Sequence, residues 1–461
     1  MKSPSPLNLA ERVLLVGVGL KRASRKAGLG GASAQESLNE LDELARSAGA
    51  KVVSSRLQMR DVLDSATVVG RGVLAELKHE AERQGASLII FDRNLSPAQH
   101  RNIERGVDCR VIDRTQLILD IFAKHAQTRE GQLQVELAQL NYLLPRLAGT
   151  SRELSRLGGG IGTRGPGEQK LETDRRRIRD RIRKIGQSIE TVRRQRALRR
   201  RARQSVPLGT VALVGYTNAG KSTLFNALTR AGVLTSSKMF ATLDPTIRAL
   251  RLPSRRRVLL SDTVGFIRDL PPDLIAAFRA TLEEVQEAAL ILQVTDVSSP
   301  LHAEHDAEVE KILDSLGVAD RKKLRVFNKV DLLPPEELAA LRESNGFLAR
   351  HSPAPDSSAS ESFAATSSES PLTTGGHSPD KIFVSARSGE GLDELLARID
   401  DEIPVDPIVE RELTLPMTHG RELAMIYACG RVLNSEVSDG HIRLQAQLPE
   451  SLANRLEAFL P

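Results

Sequence analysis

Gly215-Tyr216-Thr217-Asn218-Ala219-Gly220-Lys221-Ser222, directly after the apolar run Val211-Ala212-Leu213-Val214, decides the reading of this chain. The pattern is G-x-x-x-x-G-K-S, and its setting predicts a strand, a glycine loop and a helix opening near Lys221. Such a loop wraps backbone N–H groups around phosphate oxygens, and the helix N-terminus adds positive potential. Lys221 is placed to neutralise β- and γ-phosphates, and the Ser222 hydroxyl to ligate Mg2+.

The remaining motifs follow in order. Asp262-Thr263-Val264-Gly265 comes after the apolar strand Val258-Leu259-Leu260, which suits a carboxylate behind Mg2+ and a Gly265 N–H on a γ-phosphate. Between them, Phe240-Ala241-Thr242-Leu243-Asp244-Pro245-Thr246 reads as a switch loop, with Thr242 reaching the metal. Lys221, Thr242 and Gly265 are thus the expected catalytic set. Asn328-Lys329-Val330-Asp331 ends another strand. Asp331 can accept from guanine N1–H and the 2-amino group together, a pair that adenine lacks. Lys329 would lie along the base and Asn328 would tie the loops together. Ile382-Phe383-Val384 leads into Ser385-Ala386-Arg387, where the Ala386 N–H can face guanine O6. Motifs at successive strand ends place the ligand at the carboxyl edge of a doubly wound sheet, as in translation-factor-related GTPases.

Hydrophobic residues make up 40% of the 461-residue chain, enough for several cores, although aromatics are only 3% and Trp is absent. Cys109 and Cys429 are far apart in sequence, which favours a reduced, cytoplasmic protein. The longest apolar run, Val13 to Leu20, is strand-sized and ends in Lys21-Arg22, so neither a membrane span nor a signal peptide is expected. A ribosome- or membrane-peripheral position within the cytoplasm is the secondary expectation.

The expected fold is multidomain α/β. Residues 1–127 read as an N-terminal α/β domain with a mostly parallel sheet, in which Gly17-Val18-Gly19 is a tight loop rather than a dinucleotide turn. Residues 128–205 read as an antiparallel helical hairpin. Leu133, Leu137, Leu140, Leu144 and Leu147 form one stripe; Ile178, Ile182, Ile185, Ile189 and Val192 form the other. Pro145 should end or kink the first helix. Leu157 to Glu168 holds six glycines and a proline and is expected to be non-helical. Residues 206–403 form the G domain. Within it, residues 345–380, with nine Ser, three Thr and four Pro, are an expected disordered insert. Residues 404–461 read as a small α+β domain, with strands at Glu412–Leu415 and His441–Leu448 and helices at Leu423–Val432 and Leu452–Phe459.

Charge is unevenly spread. Residues 171–205 carry fourteen Lys and Arg against four Asp and Glu, net +10, so the rest of the chain is −4 against a total of +6. A one-signed, Arg-rich excess beside a glycine tip suits folded RNA, with Arg164, Lys170, Arg175, Arg176 and Arg177 as contact candidates.

With these residues in hand, the chain resembles the HflX-type GTPases from about residue 11 to 461, excepting the insert. The distinguishing stretches are Asp113-Arg114-Thr115 with Leu117 to Phe122, Gln134 to Leu140, and Gly158 to Glu168 followed by Lys170-Leu171-Glu172 and Asp174-Arg175-Arg176. The resemblance implies a monomeric GTP/GDP-binding protein. It also implies binding to the large ribosomal subunit and its rRNA, stimulation by that subunit, and separation of stalled or idle ribosomes under stress. A GTP-gated binding module, in which hydrolysis only resets the state, is the alternative.

Phe266 follows Gly265, where many GTPases carry a water-orienting Gln. An apolar side chain predicts slow intrinsic hydrolysis, with the missing group supplied in trans or by another residue of the chain. Asn218 suits either a K+ ligand or a structural loop residue.

Overall fold

A computed structural model describes residues 11–21, 32–147, 166–203, 209–229, 239–240, 245–268, 284–318, 320–350, 381–403, 408–438 and 440–460. The N-terminal sheet contains β1 (Arg12–Leu20), β2 (Lys51–Arg60), β3 (Leu88–Phe91) and β4 (Arg110–Asp113) in the order β2-β1-β3-β4, all parallel. Helices α1 (Ala32–Ser47), α2 (Arg71–Gln84), α3 (Pro97–Val107) and α4 (Arg114–His125) cover both faces. Alternation along β1 divides the core. Val13 and Leu15 join the leucines of α1 and the apolar face of α4, while Leu14 and Val16 join α2 and α3. A parallel strand covered on both sides reads as a continuous apolar run, and β1 does. It runs on through Gly17-Val18-Gly19, which pair with Leu57, Gln58 and Met59 of β2 and are strand rather than the expected tight loop. Ser96 and Gln99 cap α3 reciprocally, with Pro97 in its first turn.

The hairpin pairs α5 (Arg129–Arg146) with α6 (Pro166–Arg203). Arg181 grips Glu136 through two bonds of 2.7 and 2.8 Å, which sets their antiparallel register. Helix α5 ends just after Pro145, whereas α6 already begins at Pro166, within the stretch expected to be non-helical. Proline is at home at a helix start, where its missing N–H goes unused. The rest of that glycine tip lies outside the described residues. The most buried face of α5 is not the leucine stripe but Gln134, Val135 and Ala138, which pack into the N-terminal core. The stripe leucines are half-buried. Arg146 completes the seating by donating to Leu95 O at 2.7 Å and Asp113 Oδ2 at 3.2 Å.

The G-domain sheet has six strands: β5 (Thr210–Gly215), β6 (Thr246–Arg251), β7 (Arg257–Asp262), β8 (Leu290–Asp296), β9 (Lys323–Asn328) and β10 (Lys381–Phe383). Their order is β10-β9-β8-β5-β7-β6, with only β6 antiparallel. Helices α7 (Lys221–Thr229), α8 (His302–Ser315), α9 (Pro335–Arg350) and α10 (Leu392–Glu402) accompany it. Helix α9 runs on to Arg350, into the expected insert; residues 351–380 lie outside the described ones.

The C-terminal sheet, β11 (Ile408–Pro416), β12 (Arg431–Ser438) and β13 (His441–Pro449), is antiparallel in the order β11-β13-β12. Helices α11 (Gly420–Cys429) and α12 (Glu450–Arg455) cover one face. Two expectations are corrected here. The helix expected over 423–432 stops at Cys429, and Val432 belongs to β12. The helix expected over 452–459 stops at Arg455, before a short 3-10 turn. Among the described residues, no helix is long and apolar enough to cross a membrane.

Candidate nucleotide site

The phosphate loop leaves the carboxyl end of β5, between β7 and β8, and enters α7. Gly220 has φ 90°, and a Cβ there would strike Asn328 Nδ2, so glycine is required. Asn218 is exposed and left-handed at φ 61°, a backbone that Asn tolerates better than most residues.

Lys221 is 6% exposed, and its ammonium donates to Gly215 O at 3.1 Å and Tyr216 O at 2.7 Å. A lysine has three donors, so one remains to meet a phosphate. Burial lowers its pKa to about 8, against the pull of Asp262. Ser222 Oγ donates to Asp262 Oδ2 at 2.7 Å, and Thr263 Oγ1 donates to Leu213 O at 2.6 Å.

Beyond Asp262 the chain is pinned to the phosphate loop. The Phe266 N–H donates to Gly215 O at 3.0 Å, and the Thr217 N–H donates to Phe266 O at 2.7 Å. Gly265 is thereby pressed against the loop: a Cβ there would lie 2.9 Å from Thr217 Cα and 3.0 Å from Lys221 Nζ. The Phe266 side chain is 2% exposed and sits in the core.

The guanine motif closes the other side. Asn328 is 1% exposed; its Nδ2 donates to Ala219 O at 2.8 Å, and its Oδ1 accepts from the Ala386 N–H at 3.0 Å. One side chain thus joins the phosphate loop to the Ser385-Ala386-Arg387 loop. Lys329 Nζ pairs with Asp296 at 2.6 Å, while Asp331 and Arg387 are exposed. Val330 is buried against Phe327, and Ser385 Oγ accepts from the Ser388 N–H.

Of the switch loop, Ala241, Thr242, Leu243 and Asp244 lie outside the described residues. Phe240 is 4% exposed, with its ring edge-on to Phe122 of α4 at 4.5 Å. Among the RNA candidates, Arg164 lies outside the described residues and Lys170 is on α6. Arg175 is half-buried; Arg176 and Arg177 are exposed. All four acids of the basic stretch have arginine partners, in the pairs Arg179–Glu172, Arg177–Asp174, Arg183–Asp180 and Arg194–Glu190. With fourteen bases present, these pairs leave most of the excess standing.

The N-terminal domain meets this site along α1. The Tyr216 ring stacks on His305 at 3.9 Å, and its hydroxyl donates to Glu40 Oε1 at 2.6 Å. Glu40 is also bound by Arg114, whose other branch holds Asp92 at 2.6 Å. Burial alone would lower the Arg114 pKa, but Glu40 and Asp92 outweigh it and hold it above the usual arginine range. A cavity of about 310 Å³ lies between α1 and Tyr216–Ala219, with Glu36, Glu40, Glu43, Asp296 and Asp306 in its wall. Burial raises the Glu36 and Glu43 pKa values there. The nucleotide motifs contain no trace of Glu40. The available signal was Arg114, a cation set between the apolar runs of β4 and α4.

Family models match four consecutive parts of the chain: GTP-binding GTPase N-terminal at 35–123, GTP-binding GTPase middle region at 125–203, 50S ribosome-binding GTPase at 210–329 and HflX C-terminal domain at 373–460. The GTPase HflX of Caldanaerobacter subterraneus subsp. tengcongensis is 43% identical, over 92% of this chain and 90% of its own length. That of Lacrimispora saccharolytica is 41% identical, over 98% and 97%. A solved GTP-binding protein from the archaeon Sulfolobus solfataricus, in complex with GDP, is 24% identical, over 84% of this chain and 98% of its own, with a TM-score of 0.41. The phosphate loop, the guanine motif, the four family models and the HflX relatives lead to one conclusion: the chain belongs to the HflX family of GTPases.

Proposed function

We propose that this GTPase binds the large ribosomal subunit through its basic hairpin and separates stalled or idle ribosomes under stress. The carrying observation is the seating of an Arg-rich helix pair on a domain that itself contacts the phosphate loop. Arg146 fastens the hairpin to Asp113, and the neighbouring Arg114 holds Glu40 against Tyr216. The relatives matched are named GTPase HflX, and the G-domain model is described as ribosome-binding.

GTP would lie along residues 215–222, with guanine between Asp331, Lys329 and the 385–387 loop. The Ala386 N–H would share its donation between Asn328 Oδ1 and guanine O6. Ser222 Oγ and Asp262 Oδ2, 2.7 Å apart, are oxygen donors of the kind a hard cation prefers. Ser222 would therefore ligate Mg2+ together with Thr242, and the metal would neutralise phosphate charge. K+ at Asn218 is a further expectation, tested by comparing turnover in K+ and Na+; equal rates would remove it.

The Phe266 main chain is tied to the loop and its side chain is buried, which supports slow hydrolysis by the chain alone. A partner group would supply what orients the water. The test is GTP turnover with and without large subunits across a salt series, alongside subunit separation from intact ribosomes. Stimulation that falls steeply with salt, with separation in GTP but not GDP, is expected. Binding without separation would favour the gated module, and a rate indifferent to ribosomes and salt would sink the partner assignment.

A further inference from the structure

Tyr216 occupies an x position of the G-x-x-x-x-G-K-S pattern, yet its phenol serves the neighbouring domain. It is 7% exposed, donates to Glu40 Oε1 at 2.6 Å and accepts from the Arg268 N–H at 2.9 Å. Arg268 lies just beyond Gly265 on the segment already pinned to the loop through Phe266. The contact is anchored on both sides. Glu40 is held by Arg114, itself 2% exposed, and the Tyr216 ring lies flat on His305. The same domain reaches the edge of the switch loop, where Ser47 Oγ accepts from the Met239 N–H at 2.9 Å.

We propose that Glu40 is a positioning residue for GTP hydrolysis. Through the Tyr216 hydroxyl it fixes the Arg268 amide, and so holds the segment carrying the Gly265 N–H in register for the γ-phosphate. In this proposal Glu40 acts through the Tyr216 hydroxyl and not on the reacting atoms. The inference rests on the GTPase chemistry and is independent of the ribosomal partner. A donor held in place before reaction costs no reorganisation when charge develops. Nucleotide affinity, by contrast, comes from the phosphate loop and the guanine motif. Loss of Glu40 therefore acts on kcat and spares KM.

The experiment compares single-turnover hydrolysis, KM and melting temperature of the full chain with Tyr216→Phe, Glu40→Ala, Glu40→Gln and the Tyr216→Phe/Glu40→Ala pair. Tyr216→Phe and Glu40→Ala each lower kcat roughly tenfold, the effect of about one hydrogen bond on the barrier, with KM within about twofold. The pair is no slower than the slower single, because both act in one chain. Glu40→Gln keeps an oxygen that accepts from Tyr216 and stays within about threefold of wild type. Tyr216→Phe leaves Glu40, Arg114 and Asp92 intact, so it decides the matter even where Glu40→Ala melts early. An unchanged kcat in Tyr216→Phe, losses that multiply in the pair, or a Glu40→Gln as slow as Glu40→Ala would each overturn the inference.

Discussion

Replacing Asn328 by Ala should cost more than a single contact. Two buried groups lose their partner, the Ala219 carbonyl at 2.8 Å and the Ala386 amide at 3.0 Å. Each buried polar group left unpaired costs about 1–3 kcal/mol, so the pair amounts to about 2–6 kcal/mol. Without nucleotide, the two loops can relax and find water. With nucleotide bound they must close on it, so the cost falls mainly on the complex. At about 1.4 kcal/mol per tenfold, GDP affinity should drop by at least about 30-fold, and by up to about 20,000-fold if the full cost falls on the complex. Asn328→Asp sharpens the test, because it keeps an acceptor for Ala386 but turns a carboxylate oxygen toward the Ala219 oxygen. It should bind no better than Asn328→Ala. Fluorescent-GDP titration of both variants, with melting curves to check folding, measures this. GDP binding within about threefold of wild type for Asn328→Ala, or full affinity in Asn328→Asp, would refute the reasoning.

Gly265→Ala places a methyl 2.9 Å from Thr217 Cα, so the segment must lift from the loop. GTP hydrolysis should fall by about 100-fold or more while GDP affinity holds, as losing one aimed donor would predict; stopped-flow phosphate release reads it. Arg114→Ala leaves Glu40 and Asp92 as anions without their shared cation, and about 3–5 kcal/mol of stability should go, visible in urea unfolding. Asp120 carries a pKa raised to about 6 by burial, opposed by Arg110 and Lys124. The folded state then holds a proton that the unfolded state releases near pH 4, so stability falls from about pH 4 to about pH 6 and is level above. Asp120→Asn should flatten that slope and gain up to about 2–3 kcal/mol at pH 7 in denaturant melts.

The nucleotide site was legible because phosphate, metal and guanine each demand particular residue types at strand ends. The parallel N-terminal sheet was legible because doubly covered strands leave apolar runs. Strand β12 was not, because Arg431–Ser438 is largely exposed and mixes Arg, Asn, Ser and Glu among its valines. In α5 the leucines drew attention to one face, while Gln134 and Ala138, which carry weaker hydrophobic signals, line the more buried one. Glu40 stayed hidden for a different reason. Its partner Tyr216 is 176 residues away, and no local pattern encodes a meeting between domains.

Helix α6 continues to Arg203, and β5 starts at Thr210. That gap reaches at most about 25 Å even when fully extended. Tyr216 and Glu40 are thus held on one chain, with the G domain joined to the hairpin by this short connection. Opening and reclosing of the Glu40–Tyr216 contact is therefore an intramolecular equilibrium, insensitive to dilution.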